Sequence, residues 1–264
     1  MSVRVVLMNN HPYLIAYKTI LFKEVLRFMR IWIQTVLPPA ITTALYFVIF
    51  GKLIGEQIGE MDGYSYIDFI VPGLILMSVI SNSYANVVSS FYSSKFQRHI
   101  EELLISPVPD FVILAGYVSG GVARGIVVGI VVTMVSMIFS DWQIYSYSIT
   151  LLVFVLTSIL FAIAGFINAI YANSFDDISI IPTFVLTPLT YLGGVFYSIS
   201  MLPEFWQQVS MINPVFYMIN AFRFGLLGSS DISMLVAFSI IVGFIIVLSW
   251  YSLHLLAKGT GIKS

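Results

Sequence analysis

No cysteine occurs anywhere in the 264 residues, which removes disulfides, thiolate metal ligands and a cysteine nucleophile together. Charge is nearly as scarce. Asp, Glu, Lys and Arg make up 9% of the chain, against roughly a quarter of an ordinary soluble domain. A chain that is 59% hydrophobic with so few charges lacks the polar surface to stay in water, and is read as an integral membrane protein. Its three histidines, His11, His99 and His254, are far apart and show no ligand spacing, so no metal is expected. The sequence has no G-x-x-x-x-G-K-[ST] phosphate loop, no H-E-x-x-H and no G-x-S-x-G, so it has no ATP site of that type and no such hydrolytic centre. No acidic pair falls in the middle of a span, where a proton relay would need one. The energy source is therefore expected outside this polypeptide, with no cofactor and no nucleic acid bound here. The opening residues also lack the pattern of a cleavable leader, which suits a first span that inserts and stays.

What the chain has in quantity is apolar runs of membrane length. Six are expected to cross, near residues 34–54, 67–90, 118–139, 149–171, 179–199 and 233–256. The fold class is thus an all-α membrane protein with six transmembrane helices. Pro38-Pro39 and Pro72 lie inside expected helices, and Pro182 and Pro188 predict a kinked or irregular fifth span. Residues 1–33 form a cytoplasmic N-terminus carrying an amphipathic interfacial helix. Its polar arc holds Lys23, Glu24, Arg27 and Arg30, and its apolar arc holds Leu14, Leu21, Phe22, Val25, Phe28, Met29 and Trp32. Residues 34–256 make the six-span domain and 257–264 a tail. Lys and Arg concentrate before the first span, between the second and third, and after the sixth. By the positive-inside rule both termini are cytoplasmic.

Three stretches stand out from this frame. In Phe91–Asp110 the residues Phe96, Ile100, Leu103 and Leu104 repeat with a helical period, while Lys95, Arg98, Glu101 and Glu102 fill the other arc. Pro107 and Pro109 end it. This short cytoplasmic helix is either a solvated connector or a docking element for a soluble partner. Residues 200–231 are aromatic and apolar but interrupted by Pro203, Asn213-Pro214 and Gly225, which predicts an outer re-entrant hairpin. Arg223 there either caps the returning helix, meets lipid phosphate or anchors the outer interface. In the second span Ser78, Asn82, Asn86 and Ser90 repeat every four residues, flanked by Ser81 and Ser89. Thr183, Thr187, Thr190 and Tyr191 form a similar band in the fifth. Such stripes serve either interhelical packing or a translocation pathway. Arg124 is read as a side chain snorkelling from the third span, whose Gly121, Gly125 and Gly129 let another helix approach closely.

The segments YIDFIVPGLILM, QRHIEELLISPVP, FDDISIIPTFVLTPLTYLGGVFY and NPVFYMINAFRFGLLG together resemble an ABC-2 type permease. That family is the membrane half of a bacterial ABC exporter, with the fold also called type V, and the likeness is nearest to the inner-membrane permeases of Gram-negative bacteria. In the docking loop His99-Ile100 stands where the commoner family pattern has Gly-Thr. The resemblance implies a homodimer of this chain in the inner membrane with two copies of a separate ABC-type ATPase. It implies docking through Phe96, Arg98, Ile100, Glu101, Glu102 and Leu104. It also implies a pathway lined by spans two and five, with Ser78, Asn82, Asn86, Ser90, Thr183, Thr187 and Tyr191 as candidates, and a lid formed by the hairpin with Asn213, Pro214 and Arg223. The readings left open are a general exporter permease, one specific for polysaccharide or glycolipid, and a non-transporting membrane scaffold.

Overall fold

The computed structural model describes residues 12–141, 143–259 and 261, and leaves the side chains of Lys52 and Leu104 outside the described set. Nearly all of it is helix. α1 (Pro12–Arg30) breaks at Ile31 into α2 (Trp32–Tyr46), which passes through a π-helical stretch, Phe47–Ile54, into α3 (Gly55–Ile58). A small hairpin of β1 (Glu60–Met61) and β2 (Tyr64–Ser65) follows. Its turn is Asp62-Gly63, with φ of 52° and 82°, the pair of left-handed residues that a two-residue hairpin loop needs. Then come α4 (Tyr66–Phe96), α5 (His99–Ile105), α6 (Asp110–Phe139) and α7 (Tyr147–Tyr171). The rest is α8 (Asp177–Ile181), a π-helical stretch Pro182–Leu186, α9 (Thr187–Tyr191), α10 (Glu204–Ile212), α11 (Pro214–Leu227) and α12 (Met234–Lys258).

Five helical runs among the described residues are long and apolar enough to cross a membrane: Trp32–Ile58, Tyr66–Phe96, Asp110–Phe139, Tyr147–Tyr171 and Met234–Lys258. The expected crossing at 179–199 differs. Its helix covers only Asp177–Tyr191, about 22 Å at 1.5 Å per residue, short of the ~30 Å hydrocarbon core. Two local causes act. Pro182 and Pro188 lack the N–H that an interior turn uses, and the backbone widens to π geometry from Pro182. Gly193 and Gly194 then end the helix, Gly194 in a left-handed conformation at φ 80°.

α4 is the centre. It lies along α6 and α7, and Phe69, Leu74, Val79, Tyr84 and Phe91 are fully enclosed along its length. The glycine row on α6 sets how close these helices come. A Cβ on Gly121 would strike Val87 of α4 and Ala162 of α7, and one on Gly125 would strike Ser83 and Ser158. On its other side α6 receives α1. Ile20 sits over Gly116 and Glu24 over Gly120, so two successive turns of each helix meet and the two run side by side there.

The hairpin packs at the end of the bundle opposite α5. Asn213 caps α11 by accepting from the Val215 amide at 2.9 Å, and its amide group donates to the Leu189 carbonyl at 2.6 Å, with Pro214 at the first helical position. The Leu226 and Gly225 carbonyls accept from the Tyr145 and Ser146 amides just before α7. Arg223 is buried. Its guanidinium lies 3.9 Å over the Phe69 ring and donates to the Gly194 carbonyl at 2.6 Å, so it ties the hairpin to α4 and to the broken fifth helix instead of facing lipid phosphate. α10 leaves Phe205, Trp206 and Ile212 exposed. The hairpin's return to one end of the bundle has a direct consequence. Cysteines placed at Glu204 and Asp231 should both react with a membrane-impermeant thiol reagent added on one and the same side of the membrane, at comparable rates. Labelling from opposite faces would contradict this topology.

Candidate functional site

The polar stripe on α4 is filled side chain by side chain. Asn82 accepts at Oδ1 from Arg124 of α6, from Nε at 3.3 Å and Nη2 at 3.1 Å, while its Nδ2 donates to the Ser78 carbonyl. One turn on, Asn86 accepts from Arg27 Nη2 at both Oδ1 (2.9 Å) and its main-chain oxygen (2.8 Å). A further turn on, the Ser90 hydroxyl donates to Glu24 Oε1. Arg27 also bonds Glu24 Oε2 and reaches Ser89, each at 3.4 Å. Asn82, Asn86 and Ser90 are therefore buried within one chain, held to α6 and α1. Ser78 lies at the edge, 3.5 Å from the Thr43 hydroxyl of α2.

This arrangement gives α1 a mixed buried face, with Glu24 enclosed beside the apolar Ile20 and Phe28. Glu24, from the polar arc, is completely enclosed, whereas Phe22, Met29 and Trp32 point outward. Lys18, Lys23 and Arg30 remain exposed, so the polar arc splits between the bundle and the surroundings. Glu24 and Arg27 turn to partners inside the bundle, where a charge must be paired or hydrogen-bonded. The sequence carried one signal of this: Glu24 is the lone acid among the four bases of 12–33, three residues before Arg27. Arg124, expected to snorkel, bonds instead to Asn82 within the bundle.

The open side of α4 is a neighbouring stripe. Ser81 is exposed, and Ser78, Ala85 and Ser89 are half-exposed. Between α2 and α4 runs a crevice of about 220 Å³ whose polar lining is Thr42, Thr43, Ser78, Ser81 and Asn82, with Tyr46 at its rim. Tyr46 meets Tyr191 of α9, hydroxyl to hydroxyl at 3.2 Å, and both rings pack on Phe196. Thr183, Thr187 and Tyr191 are exposed on that short helical run, and Thr190 is buried. The crevice and the fifth-segment residues thus meet at Tyr46.

At the other end, α4 passes into α5 through Gln97 and Arg98, with Arg98 in the left-handed region at φ 60°. Ile100 is 1% exposed and anchors α5 to the bundle, while Ile105 is 86% exposed. Phe96 is exposed too, edge-on to Phe175 and beside Tyr92. Glu102 faces outward and Glu101 is half-exposed; the Leu104 side chain lies outside the described residues. The six expected docking residues therefore divide, Ile100 inward and Phe96, Arg98 and Glu102 outward, and Ile105 joins the outer group without having been singled out from the sequence. Lys95 donates to the Ile170 and Ala172 carbonyls, both at 2.7 Å, and so caps α7 beside this helix. The carboxylate of Asp177 in the same corner accepts from the Asn173 and Ser174 amides, and these bonds hold it below the usual carboxylate range. Among the described residues no group of His, Asp and Glu is placed to hold a metal ion.

Residues 15–227 match the family described as ABC-2 type transporter, and the chain belongs to that family. Over 254 residues it is 56% identical to the inner membrane transport permease YadH of Escherichia coli (strain K12), covering 96% of this chain and 99% of that one. An alignment of that length cannot fit within 15–227, so the likeness extends into α12. Nodulation protein J of Rhizobium meliloti (strain 1021) is 26% identical over 188 residues, 70% of this chain and 71% of that one. The two stripes on α4 are separable by water access. Single cysteines replacing Ser81 and Ser89 should react with a small polar thiol reagent. Cysteines replacing Asn86, Ile80 or Val87 should stay at least roughly tenfold slower, because those positions are enclosed by α1, α6 and α7. Equal rates on both sets would overturn the enclosure of this face of α4 by its neighbours.

Proposed function

We propose that this chain is the membrane-spanning permease subunit of an ATP-driven exporter in the bacterial inner membrane. It works as a homodimer, with two copies of a separate ABC-type ATPase on the cytoplasmic side that carries both termini. Membership of the ABC-2 family supports the permease role, and the relative named an inner membrane transport permease supports the location. The observation that carries the coupling is α5. It hangs between the ends of α4 and α6, pinned by Ile100, and presents Phe96 and Ile105 outward, with Arg98 and Glu102 at the edge. An apolar centre with a charged rim is what a partner cleft buries.

In this reading the ATPase supplies ATP binding and hydrolysis, and the permease supplies the path. Ser78, Ser81, Asn82, Ser89, Thr183, Thr187 and Tyr191 line the wall that faces the second copy, while Asn86 and Ser90 hold that wall in place from behind. The hairpin, fixed by Asn213, Pro214 and Arg223, closes the outer end. The docking claim is tested with the ATPase co-expressed. Phe96→Asp and Ile105→Asp should each lower co-purification and permease-stimulated ATP hydrolysis by roughly tenfold or more, as for a central interface residue, with the permease still inserted. Ile100→Asp should instead lower the melting temperature of the permease alone. Wild-type coupling in both exposed-site variants would remove α5 as the docking element.

A further inference from the structure

The cluster behind α4 has more donors than acceptors. Arg27 and Arg124 bring two positive charges, and among the described residues Glu24 is the one carboxylate paired with either. Both oxygens of Glu24 are already used, by Ser90 and by Arg27. Both bonds of Arg124 go to one neutral oxygen, Asn82 Oδ1. Arg27 Nε and Asn86 Nδ2 are buried with no acceptor at all. Two arginines against one carboxylate leave a formal charge of +1 in a setting that solvates it poorly. Arg27 is also 30% exposed and extends Nη1 toward Ser89, on the open side of α4.

From this we infer that Arg27 and Arg124 form a receiving site for the phosphate group of an anionic ligand. Their partners Asn82 and Asn86 stand one helical turn apart on α4, which sets the two guanidiniums side by side. Paired planar forks suit a tetrahedral oxyanion. Ser89 and Arg27 are both half-exposed, which makes this edge of α4 the side from which a ligand approaches. Phosphate reaches such a place from two sources, the headgroup of a membrane lipid or a soluble phosphate ester, and the site chemistry is the same for both. The site belongs to a single chain and needs neither the ATPase nor a second copy, so its failure would leave the permease reading untouched.

The test uses the purified full chain in a neutral detergent, followed by tryptophan fluorescence on heating. Dioctanoyl phosphatidic acid should raise the melting temperature saturably, and dioctanoylglycerol, which lacks the phosphate, should not. Arg27→Gln and Arg124→Gln should each weaken the apparent affinity roughly tenfold, the loss expected for one charged hydrogen-bonding partner. Glu24→Gln, which removes the competing carboxylate, should tighten it. Arg27→Lys and Arg124→Lys keep the charge that the fold needs but lose the fork, and should weaken binding even where the glutamine variants do not fold. A response to the lipid alone assigns the membrane source, and a matching response to inorganic phosphate assigns the soluble one. No saturable response to either probe, or unchanged affinity in all the arginine variants, would overturn the site.

Discussion

Charge inside a low-dielectric bundle has to be answered by a neighbour, and in this protein α4 is the helix that answers it. Asn82, Asn86 and Ser90 meet Arg124, Arg27 and Glu24 in three consecutive turns. The guanidiniums and the carboxylate come from α6 and α1, so the three rungs fix both helices against α4. Deleting one partner would strand the other, and stranded buried charges are among the costliest defects a protein can carry. The mixed buried face of α1 follows directly. Glu24 points in because it has a partner there, and Phe22 and Met29 point out because lipid accepts them. The close approach of α1 is permitted by Gly120, where any side chain would collide with Glu24.

The opposite end relies on a similar device with a single cation. Arg223 binds the carbonyl of Gly194, where the shortened fifth helix turns back, and its guanidinium covers Phe69 near the start of α4. Irregular backbone at membrane depth survives only where protein shields it. Gly193, Gly194 and Val195 are all buried, and Val195 lies against Gly73 of α4. The two ends thus share one logic, an arginine hydrogen-bonded into the bundle and holding an element that lipid alone could not stabilise.

Much of this was legible in the sequence, and the rest was hidden for definable reasons. The long spans could be read because hydropathy over about 20 residues is a strong signal. The short helix after α4 and the hairpin could be read because prolines mark their ends. The fifth helical segment is shorter than its apolar run. A hydropathy count does not register that Pro182 widens the helix or that Gly193-Gly194 stops it. The four-residue stripe was visible as a period, but a period names a face and not its partner, and so Arg27 and Glu24 went unmatched to it. Ile100 and Ile105 are equally apolar in sequence. Only the left-handed joint at Arg98 decides which of them turns inward. The Asp62-Gly63 turn carried an explicit hairpin signal, too short to notice beside the spans.

The length and connections of α4 have a mechanical consequence. Its 31 residues form a rod of about 46 Å at 1.5 Å per residue, with Pro72 accommodated within its first turns. One end is joined to α5 through two residues, and the other carries Phe69 beneath Arg223. A rod of that length acts as a lever, so a tilt of about 5° at the α5 end would sweep the far end through about 4 Å. That travel is comparable to the separation between the Arg223 guanidinium and the Phe69 ring, 3.9 Å. Small rotations delivered at α5 are thus large enough, by leverage alone, to break or make the contact that seats the hairpin.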